Sequence, residues 1–242
     1  MKVNARGENH LQLDLFVILQ TGETVFNTVH SNFSSVSPFD SMRNEELSKQ
    51  ISQLWGEIPH VNIKDIQFIK PITEIDIGLQ IDSVTGINMG ILNMYKRHLV
   101  CANSILREES SYSATYDYVV NTREDIYFFG LPFSLYDLIE KIEPLQCHLA
   151  TKGCLEWNGL NIRFHILARS KAILNMKGGV DYYKRYLRKN MGFFNAETLE
   201  LYKARQYRLN VCRVSPNLLP ATAIRYAKGL LERPSFRSRP QR

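Results

Sequence analysis

The sequence predicts an α/β fold with a mainly parallel central sheet flanked by helices. Leu13–Leu19 is an almost continuous apolar run, as expected for a strand covered on both faces. From Asn88 to Arg107, apolar residues recur at three- and four-residue spacing, which is the period of an amphipathic helix. Short apolar runs and helical segments alternate along the rest of the chain, and this alternation is typical of parallel strands joined by helices.

The remaining predicted elements follow in order along the chain. They are a helix over 44–55, strands over 66–69 and 116–120, a helix over 164–176 and a strand over 209–214. Ser134 and Asp137 have the spacing of a helix capping box, and Asn195 is a residue type that begins helices. We expect the segments 13–19, 66–69 and 116–120 to be neighbouring strands of one sheet.

Length and composition favour one soluble domain. The chain has 242 residues, of which 44% are hydrophobic and 22% charged, so it can bury a large core. We expect a domain over residues 11–232, between a flexible N-terminus (1–10) and a flexible basic tail (233–242). No apolar run approaches the roughly 20 residues that cross a bilayer, and none is framed as a signal peptide. Four cysteines are scattered along the chain: Cys101, Cys147, Cys154 and Cys212. This pattern fits reduced thiols and predicts a cytoplasmic location, which for a virus-encoded protein includes the cytoplasm of the host.

Positive charge is concentrated in the C-terminal third. From Lys184 onward the chain has 14 Lys and Arg against three Glu, whereas the preceding part has 16 basic and 21 acidic residues. Such a region suits an anionic partner: a nucleotide diphosphate, an acidic glycan, nucleic acid or, through peripheral contact, a membrane surface. Interleaved tyrosines leave a nucleic-acid-binding module open as an alternative, although no recognised nucleic-acid-binding motif is present.

Charged residues interrupt an apolar stretch at Arg123-Glu124-Asp125, which makes this tripeptide the candidate site. It follows the predicted strand over 116–120, and ligands of open α/β sheets bind beyond the carboxyl ends of strands. An enzyme that transfers a sugar from a nucleotide must neutralise the departing diphosphate, with a carboxylate-bound divalent ion, with Arg or Lys, or with both. Arg123 and Asp125 supply one residue of each kind. An internal salt bridge is the alternative interpretation.

The stretch YDYVVNTREDIYFF (116–129) resembles GT-A-like glycosyltransferases of surface-polysaccharide gene clusters and large-virus genomes. In those sequences a strand that follows a long helix ends in Arg-x-Arg-x-Asp before an apolar run. Three further segments resemble the same family in the same order: LDLFVILQ (13–20), WNGLNIRF (157–164) and NAETL (195–199). The resemblance covers roughly residues 11–214. It implies a GT-A-like (Rossmann-like) fold, a nucleotide-sugar donor, a glycan or glycoprotein acceptor, and Mn²⁺ or Mg²⁺.

Carried over residue by residue, the resemblance assigns Arg123 and Asp125 to the donor site. Asp125 is implied to bind the divalent ion or the donor ribose, and Glu124 is a second candidate metal ligand. The family has its first Arg at the position of Asn121. This replacement weakens the expected binding of the donor phosphate. We expect Arg123 and Asp125 to line the principal cleft, with basic side chains of the C-terminal third at its rim.

Other candidate residues lie between positions 152 and 165. Ile162 replaces an Asp of the family, so Glu156 becomes the nearest candidate for the general base that an inverting transferase needs. Lys152 and Arg163 are candidates for binding donor phosphate, and His165, placed at the start of the predicted helix, is a candidate metal ligand. Each of these side chains also has an ordinary structural interpretation. The departures at two family positions leave open a degenerate transferase fold that is kept for binding.

Overall fold

A computed structural model describes residues 2–3, 11–20, 43–72, 89–122, 126–128, 134–153, 159–188, 195–219, 221–223, 226–227 and 230–231. The helices within these ranges are α1 (Asn44–Gly56), α2 (Met89–Tyr112), α3 (Leu135–Ile142), a 3₁₀ turn (Glu143–Leu145), α4 (Arg169–Lys177), α5 (Gly179–Arg188) and α6 (Ala196–Gln206). The strands are β1 (Lys2–Val3), β2 (Leu11–Gln20), β3 (Val61–Ile69), β4 (Tyr118–Thr122), β5 (Ile126–Phe128), β6 (Leu149–Lys152), β7 (Phe164–Ala168), β8 (Val211–Val214), β9 (Ala221–Ala223), β10 (Tyr226–Ala227) and β11 (Leu230–Leu231). Helices and strands alternate, which confirms the predicted α/β class.

The largest sheet has four strands in the order β4-β7-β6-β8. Strand β7 pairs antiparallel with both β4 and β6, whereas β6 and β8 are parallel. Strands β4, β6 and β8 therefore run in one direction and end at the same side of the sheet. We call this side the carboxyl edge; it is the edge at which Thr122, Lys152 and Val214 end their strands.

Strands β2 and β3 form a separate parallel pair, which β1 extends on the other side of β2. The prediction that segments 13–19, 66–69 and 116–120 share one sheet is therefore wrong for the last segment. Where β2 approaches β4, side chains make the contact: the rings of Phe16 and Tyr116 meet edge to face at 6.1 Å. The Tyr116 hydroxyl also donates a hydrogen bond to Asp14 over 2.7 Å. Apolar patterning predicts that a strand is covered, but it does not identify the partner in the ladder.

Helix α2 confirms the clearest helical prediction and joins the two sheets. Ala102 and Ile105 lie in the main core together with residues of β4, β6 and β7. On the side of β3, the Ser104 hydroxyl donates to Asp65 over 2.7 Å and accepts from Gln67 over 2.8 Å. Ala102 and Ile105 thus pack in the main core, whereas Ser104 joins the helix to β3 through hydrogen bonds. Helix α2 is not a candidate membrane span, and neither is any other helix in the described ranges.

The sequence correctly predicts where two helices begin, but it assigns one strand to a helix. Ser134 accepts a hydrogen bond from the Asp137 N–H, and Asn195 does the same for the Thr198 N–H, so both predicted caps are confirmed. The predicted helix over 164–176 is wrong in its first part, because 164–168 is strand β7 and α4 begins at Arg169. Strand β7 is central in its sheet, and a short run that is apolar on both faces has no helical or strand period of its own.

Cys147 and Cys212 form a disulfide with a Cα–Cα distance of 5.7 Å, which corrects the prediction of reduced thiols at these positions. The two residues are 65 positions apart, and they meet because β6 and β8 are neighbours in the sheet. Cys101 is a free cysteine, and burial raises the pKa of its thiol to about 12. The pairing of β6 with β8 brings these two cysteines together. The spacing of cysteines along the sequence does not reveal such a long-range pairing.

Reduction of this disulfide is expected to lower the free energy of unfolding by about 2–5 kcal/mol, because the reduced unfolded chain gains the entropy of an open loop. The measurement is urea unfolding with and without a phosphine reductant. Cys147→Ala/Cys212→Ala is the control, whose midpoint the reductant should not change. An equal reductant effect on this variant and on the natural sequence would contradict the assignment.

Candidate functional site

The carboxyl edge gathers several of the residues that the sequence singled out. Asn121 on β4 pairs with His165 on β7, and His165 also pairs with Thr151 on β6. Lys152 follows Thr151 as the last residue of β6. Three candidates from separate parts of the sequence therefore lie on adjacent strands at one edge, as the rule for open α/β sheets requires of a site.

The central candidates, Arg123, Glu124, Asp125 and Glu156, lie outside the described residues. In the sequence they come shortly after the described ends of β4 and β6. Residue 123 is bonded to Thr122, the last residue of β4. The segment 154–158 follows β6 after Gly153. The prediction that Arg123 and Asp125 line the principal cleft, with a basic rim, also lies outside the described residues.

The candidates that are described differ in their surroundings. Lys152 is 5% exposed and His165 only 1%, so neither is open to solvent. Lys152 lies on the sheet face of Ala150, and His165 on the opposite face with Leu167. Arg163 is half-buried, and its backbone N–H donates to the Asn161 side chain over 3.0 Å.

An inner polar cluster lies beneath the carboxyl edge on the face that carries Asn121 and His165. We define it as Tyr95, His98, Asn121, His165, Glu200 and Lys203. Helix α2 contributes Tyr95 and His98, the sheet contributes Asn121 and His165, and α6 contributes Glu200 and Lys203. The Asn121 amide nitrogen lies 3.0 Å from His98 Nε2, which fixes the end of β4 to α2.

A buried ion pair is the most polar part of the inner polar cluster. Lys203 Nζ donates to Glu200 Oε1 over 2.6 Å, and the two side chains are 0% and 1% exposed. Lys203 Nζ also lies 4.6 Å from the centre of the Tyr95 ring, whose π face attracts the cation. Burial lowers the pKa of Lys203, opposed by Glu200. Burial alone disfavours the carboxylate, but neighbouring positive charge, first that of Lys203, holds the pKa of Glu200 below its ordinary value.

Both histidines of the inner polar cluster are kept neutral. Burial, reinforced by the charge of Lys203, lowers the pKa of His98 to about 3. Burial also lowers the pKa of His165, although Glu200 opposes the shift. His98 retains some exposed surface as a residue, but its Nδ1 is enclosed. At neutral pH both imidazoles are therefore uncharged neighbours of the ion pair.

These shifted histidines predict a loss of stability in acid. Below the ordinary imidazole pKa of 6.5 the unfolded chain binds a proton at position 98, whereas the folded chain does not until about pH 3. The free energy of unfolding therefore has its full value above pH 6.5 and falls by about 1.4 kcal/mol per pH unit below it. The lowered pKa of His165 makes this fall steeper. His98→Gln should remove about one proton from the slope, measured by urea unfolding at several pH values. An unchanged slope would contradict this account.

A metal site is not formed by the described residues: within those ranges no group of three or more His, Cys, Asp or Glu is arranged to hold an ion. The part of the predicted ligand set that comes from Glu124 and Asp125 lies outside the described residues.

A small cavity of about 120 Å³ lies at the opposite edge, near the amino ends of β2 and β4. Asp14, Lys64 and Glu108 line it, and Lys64 Nζ lies 3.0 Å from a Glu108 carboxylate oxygen. Beside it, Arg169 donates to Glu109 over 2.6 Å and ties α4 to α2. The cavity is thus at the opposite side from Asn121, Lys152 and His165.

Four residues of the inner polar cluster were not predicted as site residues: Tyr95, His98, Glu200 and Lys203. Glu and Lys three positions apart on a helix ordinarily form a surface pair, so their spacing gives no sign of burial. No protein-family model matches the chain, and no curated protein matches it.

Proposed function

We propose that this chain is a glycosyltransferase that moves a sugar from a nucleotide-sugar donor to a glycan or other hydroxyl acceptor. One observation carries the proposal: β4 and β6 end at the same edge and lead into the segments 123–125 and 154–158. Those segments hold the basic residue, the carboxylates and the candidate base that sugar transfer requires. This arrangement supports the resemblance to GT-A-like enzymes through the topology of the chain.

In the proposed mechanism each candidate has one task. Arg123 stabilises the charge that develops on the departing diphosphate, and Asp125 holds the donor. Glu156 accepts the proton of the acceptor hydroxyl as that oxygen attacks the anomeric carbon and the bond to the diphosphate breaks. The described residues alone do not provide a metal site, so no step is assigned to a metal ion; Mn²⁺ or Mg²⁺ held by Glu124 and Asp125 would supply further neutralisation of the diphosphate.

A thermal-shift screen of nucleoside diphosphates and nucleotide sugars, with and without Mn²⁺, tests the proposal. A donor at 100 times its Kd stabilises the folded state by about 2.7 kcal/mol. At this chain length that corresponds to roughly 5–10 °C in Tm. Arg123→Gln is the matched variant, which should bind the same nucleotide more weakly. Failure of every nucleotide and nucleotide sugar to raise the Tm would contradict the proposal.

Nucleic-acid binding is the second candidate function, and one surface favours it. Exposed basic residues lie near partly exposed tyrosines on α5 and α6, and the Arg205 guanidinium lies 5.8 Å from the centre of the Tyr202 ring. Basic and aromatic side chains together suit single-stranded nucleic acid. Binding of an oligonucleotide that weakens steeply with salt, without any Tm response to nucleotide sugars, would favour this function over sugar transfer.

A further inference from the structure

The outer sides of α5 and α6 repeat one sequence pattern, Tyr-x-x-Arg. On α5, Tyr182 stands three positions before Arg185. On α6, Tyr202 stands three positions before Arg205. Side chains three positions apart are neighbours on the surface of a helix. In both pairs the arginine is exposed and the tyrosine is half-buried, so each helix presents one aromatic ring and one guanidinium group together.

The two pairs meet at a surface that we call the tyrosine–arginine patch, which consists of Tyr182, Arg185, Tyr202, Arg205 and Tyr207. Tyr182 interacts electrostatically with Tyr202 and Tyr207. Arg185 is hydrogen-bonded to the side chain of Tyr207, the C-cap residue of α6. The Arg205 guanidinium lies 5.8 Å from the centre of the Tyr202 ring. Both helices therefore contribute to one connected group of side chains.

The arginines of the patch keep their positive charge available to an external anion. Arg185 Nε donates to the backbone carbonyl of Asp181 over 3.4 Å, and Arg205 faces a ring. Neither arginine forms an ion pair with a carboxylate in the described part of the chain. Lys184 and Arg208 add positive charge that outweighs Asp181. A guanidinium group binds a carboxylate or a similar oxyanion through two parallel hydrogen bonds, so the patch suits an anionic ligand.

The tyrosines favour a sugar over a nucleobase as the body of this ligand. A nucleobase binds by stacking on an open aromatic ring. The Tyr202 ring instead has the Arg205 guanidinium over it, and the Tyr207 ring is half-buried with its hydroxyl bonded to the Gly178 carbonyl over 3.2 Å. A tyrosine hydroxyl both donates and accepts hydrogen bonds, as the hydroxyl groups of a sugar do. The patch therefore offers charge and hydrogen bonds more than surfaces for stacking.

We propose that the tyrosine–arginine patch binds an acidic glycan. Its carboxylate or sulfate groups bind Arg185 and Arg205, and its sugar hydroxyl groups bond Tyr182 and Tyr202. That this glycan is the acceptor of sugar transfer rests on the proposed function, whereas the binding itself does not. As an acceptor, it would use contacts remote from the reacting hydroxyl to orient the end that reacts.

The position of the patch on α6 separates it from the inner polar cluster. Tyr202 stands two positions after Glu200, and Arg205 stands two positions after Lys203. Two positions correspond to about 200° around a helix, so the patch is on the side of α6 that faces away from the buried ion pair. Substitutions in the patch therefore leave the Glu200–Lys203 pair in place, and their effects on binding are separable from effects on the core.

Binding of acidic oligosaccharides to the full chain tests the proposal. The probes are a hexamer of galacturonate, which carries carboxylates, and a heparin-derived hexasaccharide, which also carries sulfate groups. The fully methyl-esterified galacturonate hexamer is the neutral control, because it keeps the sugar rings without the charge. The measurement is calorimetry at low salt, where exposed charges are least screened. At least one acidic probe is expected to bind about tenfold or more tightly than the ester.

Three variants assign the binding to the patch. Arg185→Gln/Arg205→Gln should weaken binding of the acidic probe by about a hundredfold, since each lost charged hydrogen bond accounts for about a factor of ten. Arg43→Gln/Lys49→Gln is the matched control, which removes the same charge from exposed positions at α1 and should change the affinity by no more than about twofold. Tyr182→Phe keeps the ring and removes the hydroxyl, so binding should weaken by about threefold to tenfold.

Three results overturn the proposal. The first is that neither acidic probe binds. The second is an equal loss of affinity in the arginine variant and in its α1 control, which indicates diffuse attraction. The third is tighter binding of a thymidine hexanucleotide that Tyr182→Phe does not weaken, which assigns the surface to nucleic acid. Failure of nucleotide sugars to raise the Tm contradicts the proposed function alone, whereas failure of both acidic probes contradicts the glycan surface alone.

Discussion

Lys203→Met is expected to lower the free energy of unfolding by about 3–5 kcal/mol, because it leaves the Glu200 carboxylate buried without its cation. For a chain of this length the loss corresponds to roughly 6–20 °C in Tm. Methionine keeps much of the length of the lysine side chain, so the effect measures charge more than volume. The measurement is urea and thermal unfolding of the variant beside the natural sequence.

The double variant Glu200→Leu/Lys203→Met is the matched control for this prediction. It removes both charges, and apolar replacements of buried ion pairs are often neutral or stabilising. We expect the double variant to regain most of the stability that Lys203→Met loses. If both variants are equally unstable, packing at position 203 is responsible, and the charge of Glu200 is not. If Lys203→Met is as stable as the natural chain, the pair is not buried as described.

Local chemistry predicted the elements whose cause is local. The long helix α2 follows from its apolar period, and the starts of α3 and α6 follow from Ser134 and Asn195, whose side chains bond backbone groups three residues on. The pairing of strands is not a local property. The apolar run of β4 fits a sheet with β2 as well as it fits the observed ladder with β7, so the sequence alone predicted the wrong neighbour.

The residues of the candidate site were likewise predictable only where their position has a local cause. Asn121 could be placed near a carboxyl edge because it directly follows the apolar run of β4. Lys152 and His165 could not, because the sequence did not predict β6 and placed His165 at the start of a helix rather than in β7. The ion pair could not, since Glu200 and Lys203 have the spacing of an ordinary surface pair on a helix. Their burial depends on where α6 packs against α2, and the Cys147–Cys212 disulfide likewise depends on which strand lies beside β6.

Asp125→Asn is expected to reduce sugar transfer by more than a hundredfold while the fold is retained. The change removes a negative charge at nearly constant size from the position that the proposed mechanism assigns to the donor. Each 1.4 kcal/mol of lost transition-state stabilisation lowers the rate about tenfold, and loss of a carboxylate that holds the donor or a metal ion removes several kcal/mol. The measurement is the transfer rate with a nucleotide sugar that raises the Tm of the natural chain.

Measuring Tm in parallel separates the catalytic role of Asp125 from a structural one. If Asp125 is instead the acidic half of a buried pair with an arginine, breaking that pair costs about 3–5 kcal/mol of stability, and the variant should melt several degrees lower. A catalytic Asp125 gives a slow enzyme with a Tm close to that of the natural chain. The same two measurements are made on Asn121→Asp, which adds a carboxylate on β4 four positions before Asp125. The Asp125→Asn substitution changes the charge of the side chain much more than any of its other properties. A stable Asp125→Asn protein with near-normal transfer would therefore exclude Asp125 from the mechanism.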